Sequence, residues 1–253
     1  MKFLLTAINA KFIHSNPAIY SLRAGVGEKL QPYVELAEFT INESLESILE
    51  GIWKRQPKVI GFSCYIWNWK LIREILTELP KILPNTEIWL GGPEVTYDGP
   101  GLLREFPQVT GIMVGEGEVT FREVLDHYVR EAESTGESEQ QPEPDRIEQQ
   151  AADRTGTVAG KSMVERFGQI PGLCLASGYT APRDLTDLTT LPFLYEDMEP
   201  FTNRSIYYET SRGCPYRCSY CLSSIDKKVR LRDISVVKRE LQFFLDQNVK
   251  RVK

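Results

Sequence analysis

The chain has 253 residues, 42% hydrophobic and 26% charged, with a net charge of −5, which suits one large or two modest folded domains. It has no apolar run of the ~18 residues a membrane-spanning helix needs, and its acidic balance argues against nucleic acid as a partner. The five cysteines are odd in number and three are clustered; they do not read as a secreted disulfide framework, so a cytoplasmic setting is expected.

The opening "MKFLLTAINAKFIHS" lacks a small-residue cleavage site and reads as a first strand rather than a signal peptide. From there, strand and helix signals alternate. "KFLLTAIN" (2–9) is a compact apolar run, followed by helical spacing in "PAIYSLRAGVGEKL" (17–30). "VELAEFTI" (34–41) is a second strand, and "SLESILEGIWKR" (44–55) places Leu45, Ile48, Leu49 and Ile52 on one helical face. "KVIGFSCYI" (58–66) is continuously apolar, as a strand buried on both faces would be. "KLIREILTELPKIL" (70–83) reads as a helix interrupted late by Pro80. "TEIWLGG" (86–92) and "GIMVGEGE" (111–118) are strands four and five, and "FREVLDHYVREAE" (121–133) is the last helix of the series. This alternation predicts an α/β fold over residues 1–130, a Rossmann-like (flavodoxin-like) parallel sheet with helices on both faces.

In such sheets ligands bind where loops leave the carboxyl ends of the strands. Those exits carry Asn9 to Asn16, Ser63 with Cys64, Gly91-Gly92-Pro93-Glu94 and Gly115-Glu116-Gly117-Glu118. Glycine lets a broad ligand approach the backbone because no Cβ intervenes; it also simply permits tight turns, and both readings stay open. Ser63, Gly91, Gly92, Gly115, Glu116 and Gly117 are the candidate cofactor-binding residues. Neither a dinucleotide fingerprint nor a phosphate loop is present.

Composition shifts after residue 130. Residues 131–162 are rich in Glu, Gln, Ser, Pro and Gly, and 131–169 is expected to be a flexible acidic linker. Residues 170–203 form a connector: "IPGLCLASG" is a short strand, and the proline-broken "LTTLPFLYEDMEPF" packs across the join between two domains. A further unit starts at 204, with "SIYYETSRG" (205–213) as a strand, "SVVKRELQFFLDQN" (235–248) as a helix, and "VKRVK" opening another strand.

Between that strand and helix lies "SRGCPYRCSYCLSS", which places Cys214, Cys218 and Cys221 within eight positions. A structural zinc site wants four ligands. His14 and His127 are distant in sequence, and Cys174, alone in its segment, reads as a small buried hydrophobe. Three thiolates on one short loop suit a [4Fe-4S] cluster with one iron left open.

The CxxxCxxC spacing, Tyr220 before the third cysteine and the preceding "IYYETSRG" resemble the signature of the radical S-adenosylmethionine enzymes. That resemblance implies Cys214, Cys218 and Cys221 as cluster ligands. It also implies S-adenosylmethionine chelated at the open iron and cleaved to a 5′-deoxyadenosyl radical, and Tyr220 beside the adenine. An electron donor such as flavodoxin or ferredoxin and a substrate of unknown identity are implied as well. With "NAKFIHSNPAIYSL", "GFSCYIWN", "GGPEV" and "GEGE" ahead of the cysteines, the chain resembles the cobalamin-binding subclass of that family. This implies cobalamin at the glycine-rich exits, a pocket for its nucleotide tail, and chemistry such as methyl transfer or cyclisation. The DxHxxG motif is absent, since Phe12 and Pro17 stand at its other positions around His14, so no histidine ligand to cobalt is expected. The resemblance also implies that 204–253 is the first β/α unit of a partial TIM-like barrel, truncated soon after the cysteines. Two other functions stay open: a non-catalytic cobalamin-carrying module, and a methylthiotransferase-like RNA-modifying enzyme. The latter carries three further cysteines in its first domain, where this chain has only Cys64.

Overall fold

The computed structural model describes residues 1–12, 14–135, 162–216, 218–222 and 228–253. The first five strands and helices alternate: β1 (Phe3–Asn9), α1 (Pro17–Gly25), β2 (Val34–Thr40), α2 (Leu45–Trp53), β3 (Val59–Ser63), α3 (Trp69–Ile82), β4 (Glu87–Gly91), α4 (Gly99–Glu105), β5 (Val109–Met113) and α5 (Gly117–Thr135); all but α4 were expected. The strands pair in parallel in the order β2-β1-β3-β4-β5. This is the Rossmann-like, flavodoxin-type order, whose topological switch point lies between β1 and β3.

The twofold period of the strands sorts their side chains between two cores. Leu4, Ile8, Ile60, Phe62, Ile88 and Leu90 pack against Ile48 and Ile52 of α2, Ile72 to Leu79 of α3 and Leu103 of α4. Phe3, Leu5, Val59, Trp89 and Met113 face the other way, onto Ile19 of α1 and Phe121, Val124 and Leu125 of α5. The result is a three-layer α/β/α unit whose sheet is buried on both faces.

Pro80 does not interrupt its helix. α3 runs through it to Ile82. Proline has no N–H for the carbonyl of Leu76, and the Gln108 side chain donates to that oxygen instead, at 2.8 Å. Gln108→Ala is therefore expected to cost about 1 kcal/mol, read from the urea midpoint. Pro80→Ala in that background should recover part of the loss by restoring the backbone donor. No loss in Gln108→Ala would show that water serves the carbonyl equally well.

The expected linker and connector differ from the structure in two ways. Residues 131–135 complete α5, and Ser162 and Glu165 form a reciprocal capping box that starts α6 (Met163–Phe167); residues 136–161 lie outside the described residues. Phe167 is fully buried against Trp89 and Tyr128, so this end of the expected linker belongs to the core. Residues 170–203 also begin inside the sheet. β6 (Leu173–Leu175) adds antiparallel to β5, and β7 (Gly178–Tyr179) adds to β6. Cys174 is fully buried there.

The last segment builds a small aromatic core of Tyr195, Phe201, Ile206 and Phe244 against Tyr20 of α1. The strand expected over 205–213 is mostly extended chain without a ladder. Its regular part is β8 (Ser211–Arg212), paired antiparallel with β9 (Arg230–Leu231), and isolated parallel bridges join His14 to Ser205 and Ile206 to Val252. Between Ile206 and Val252, the two ends of the second of these bridges, the chain runs through α7 (Ile234–Asp246), capped by Asp233.

Candidate functional site

A cavity of about 740 Å³ opens at the carboxyl ends of the strands. It continues between the sheet and the α1/α5 layer, where Phe3, Leu5, Gly61 and Trp89 line it from the strands and Ile19 and Leu22 from α1. Its opposite wall is built by residues 191–195 and 207–212 of the later segment. Ser63, Gly91, Gly92, Gly115, Glu116 and Gly117, drawn from the exits of three strands, all line this one cavity. Tyr220 does not line it and is 91% exposed.

The glycines there are not equivalent. Gly92 has φ +108°, and a Cβ on it would stand 2.5 Å from the carbonyl oxygen of Cys64. Cys64 itself donates its N–H to Gly91 at 2.7 Å, so Gly92 serves close packing of the β3 and β4 exits, and the turn-forming reading holds for it. Gly115 also has a positive φ, +79°, but nothing lies within 4 Å of an added Cβ. A Cβ on Gly91 would meet only Met113, no closer than 3.7 Å, and one on Gly117 only the tip of Leu22, at 3.1 Å. Gly91 and Gly117 keep side chains out of the cavity without needing a special backbone.

Asparagines hold the switch point together. Asn68 is fully buried; its amide donates to the carbonyls of Ile8 at 3.0 Å and Ser63 at 2.9 Å, and its oxygen accepts from the N–H of Tyr65 at 2.8 Å. Asn16 caps α1 by accepting from the N–H of Ala18 at 3.1 Å and donates to the Ser63 hydroxyl at 3.1 Å. Asn16 was marked from sequence only as the end of the Asn9 to Asn16 exit and Asn68 not at all, although an Asn immediately before a helix is the available signal.

Two carboxylate centres tie the sheet to the later segment. Glu38 accepts from Asn9 at 2.9 Å and from Tyr20 at 2.7 Å, and pairs with Arg204. Burial, reinforced by Glu38, pushes the Tyr20 hydroxyl well above the usual phenol range. Glu116 accepts from the N–H of Thr186 at 2.7 Å and pairs with Arg230. Burial alone would raise the Glu116 carboxyl, but Arg230, the Thr186 N–H and Arg212 outweigh it and hold it below the ordinary value. Its stabilising effect is therefore present above the ordinary Glu range and is lost as pH falls through the depressed pKa.

Cys214, Cys218 and Cys221 share one loop and are each half-buried. Their chemistry, three soft thiols in close sequence, suits an iron–sulfur cluster, but among the described residues no three His, Cys, Asp or Glu side chains are gathered as a metal site. His14 lies in the bridge to Ser205 with its ring on Tyr207, centroids 5.7 Å apart, and is not part of the cavity lining. Among the described residues, no helix is long and apolar enough to cross a membrane.

Comparison with known proteins agrees with this geometry. Residues 4–125 match the B12 binding domain family. The chain is 27% identical over 219 residues to 2-(S-pantetheinyl)-carbapenam-3-carboxylate methyltransferase of Streptantibioticus cattleyicolor, covering 82% of this chain and 28% of that protein. It is 29% identical over 184 residues to the cobalamin-dependent radical SAM methyltransferase TokK of Streptomyces tokunonensis, covering 66% of this chain and 22% of that one. The fold superposes on the cobalamin-dependent S-adenosylmethionine radical enzyme OxsB, solved with aqua-cobalamin and S-adenosylmethionine bound, with a TM-score of 0.63 at 17% identity over 94% of this chain and 31% of OxsB. The chain thus spans less than a third of the length of each of these proteins. The α/β sheet unit is a Rossmann-like B12-binding fold, and the chain is similar in sequence to methyltransferases, one of them cobalamin-dependent.

Proposed function

We propose that the cavity over the strand ends holds cobalamin, and that this chain is the cobalamin-binding part, with the adjoining cysteine loop, of a radical S-adenosylmethionine methyltransferase. The observation that carries the reading is the convergence of Ser63, Gly91, Gly92, Gly115, Glu116 and Gly117 on one cavity within the segment that matches the B12 binding domain family. The cavity fits a broad cofactor. Gly91, Gly115 and Gly117 leave its mouth open to backbone contact, and the part between the sheet and α1 and α5 offers an apolar channel for a nucleotide tail. Bound cobalamin supplies methyl-transfer chemistry; an iron–sulfur cluster with S-adenosylmethionine supplies radical initiation.

The chain's own residues have simpler tasks. Asn16 and Asn68 fix the two strand exits at the switch point, so the cavity mouth is rigid before any ligand enters. Tyr195, Tyr207 and Tyr208 close the far wall and exclude water. Cys214, Cys218 and Cys221 would hold the cluster, with Tyr220 beside the adenine of S-adenosylmethionine. In this proposal residues 1–130 remain the cobalamin-binding domain, supplemented by α6, β6 and β7, and residues 204–253 begin the second domain. One alternative is a cobalamin carrier without radical chemistry; cleavage of S-adenosylmethionine after anaerobic reconstitution would exclude it.

The test is retention of hydroxocobalamin by the chain through gel filtration, read from the visible spectrum. Gly91→Val adds bulk to the cavity at a strand position with ordinary backbone angles. It is expected to weaken binding by about tenfold or more, the ~1–3 kcal/mol of an overpacked contact, with little change in melting temperature. Gly92→Val is expected to lower stability itself, because of its positive φ and the clash with Cys64. A wild-type chain that retains no cobalamin, or a Gly91→Val variant that binds like wild type, would sink the reading.

A further inference from the structure

The loop that carries Cys214, Cys218 and Cys221 is closed at its base by β8 and β9. That ladder has two residue pairs, Ser211 with Leu231 and Arg212 with Arg230, extended by the Arg232 N–H to the Thr210 carbonyl at 2.9 Å. So short a hairpin has little stability of its own. It also sets two arginines directly opposite each other, and like charges in that relation repel. Glu209, just before β8, pairs with Arg212 at 2.9 Å, but its side chain is 49% exposed and solvent screens that pair.

The less exposed partners come from the β5–α5 turn. Glu118 pairs with Arg212 at 2.5 Å and accepts from the Ser21 hydroxyl at 3.0 Å. Glu116 pairs with Arg230 through both oxygens, one of them at 3.2 Å from Nη1, and also reaches Arg212 at 3.5 Å. Arg230 further donates to the Thr186 carbonyl at 2.7 Å. The four side chains are between 9% and 19% exposed, so solvent screens these pairs far less than surface pairs. Both arginines of the cross-strand pair are thus held by the two carboxylates of a single turn, and that turn also presents Gly115 and Gly117 to the cavity.

We propose that Glu116 and Glu118 are positioning residues for the cysteine loop: by neutralising Arg212 and Arg230 they keep its base closed, and so set the separation of the three thiols and its register to the cavity. The identity of the thiols as cluster ligands rests on the proposed function; the closure of the loop does not. Glu116, which also lines the cavity, would hold the loop through the two arginines.

Site-resolved alkylation of the metal-free chain tests this, because it needs neither cobalamin nor iron. In the Glu116→Gln/Glu118→Gln double variant, Cys214, Cys218 and Cys221 are expected to react with iodoacetamide about tenfold faster than in wild type, as a local opening would allow. Cys64 and Cys174, fully buried in the sheet unit, should keep their wild-type rates. Adding Arg230→Met to Glu116→Gln should bring the rates back toward wild type, since it removes the repulsion the carboxylate had offset; a mere loss of packing would not be repaired this way. Unchanged rates at the three loop cysteines, or failure of Arg230→Met to slow them, would overturn the proposal. If the double variant does not fold, with all five cysteines reacting together, Glu116→Gln alone decides on the same criteria. Uptake of iron and sulfide is measured separately: a wild-type chain that takes up none defeats the cluster reading and leaves the alkylation result to judge the loop.

Discussion

Arg166→Ala is expected to destabilise the protein by about 3–5 kcal/mol, the cost of breaking a buried ion pair by deleting one partner. The Arg166 side chain is 1% exposed. Its Nη1 lies 3.1 and 3.0 Å from the two oxygens of Glu87, and its Nε and Nη2 lie 3.1 and 2.7 Å from those of Glu131. The guanidinium sits over the rings of Phe167, at 4.7 Å, and Tyr128, at 5.2 Å. Glu87, at the start of β4, accepts from the Tyr128 hydroxyl at 2.5 Å, and Tyr128 accepts in turn from the Trp89 indole at 2.8 Å. Removing Arg166 leaves Glu87 a poorly solvated carboxylate with one neutral donor. Arg166→Lys should recover little, because an ammonium cannot meet two carboxylates with a planar fork. Arg166→Met with Glu87→Gln should recover more, since no buried charge is left unpaired. Urea unfolding of the full chain reads these differences, and a loss below about 1 kcal/mol for Arg166→Ala would place the pair among surface salt bridges of little weight.

That cluster also shows where local pattern stops being informative. β1 and β3 were legible because each is a short apolar run buried on both faces, as "VIGF" in β3 is. The glycine-bearing exits were legible because turn chemistry is local. α6 was not recognised: five residues at the end of a polar stretch look like linker, although "SMVE" carries the Ser-x-x-Glu capping signal that the structure uses. α4 opens on Gly-Pro-Gly and is seven residues long, too short for its period to stand out. Pro80 argued for a break, and the compensation came from Gln108, 28 positions after Pro80 in the sequence and not locally detectable. The same limit applies at the site. "GEGE" was marked as a ligand-facing loop, but that its carboxylates grip Arg212 and Arg230 depends on pairings 94 and 114 residues apart, set by tertiary structure alone.

The largest functional effect is expected at the cysteines. After anaerobic treatment with iron and sulfide, the wild-type chain should show the broad visible absorption of a four-iron cluster. Each of Cys214→Ala, Cys218→Ala and Cys221→Ala should lose most of it, and the triple variant all of it. The argument is one of donor supply. A cluster with one open iron has three protein ligands, so a single deletion leaves two irons without a competitive soft donor nearby. The remaining thiols cannot substitute. Cys64 is fully buried between the β3 and β4 exits, where burial pushes its thiol well above the ordinary range, and the metal ligand is the thiolate. Cys174 is fully buried beside α4. Cys64→Ala and Cys174→Ala should therefore keep the absorption. The triple variant should still retain cobalamin, since none of the three cysteines lines the cavity, which separates loss of the cluster from loss of the fold. Metal analysis closes the zinc alternative: bound zinc at one equivalent, with no sulfide, would show that the loop is a structural site and that the radical reading is wrong. Persistence of the broad absorption in the triple variant would show that the cluster, if formed, is held elsewhere.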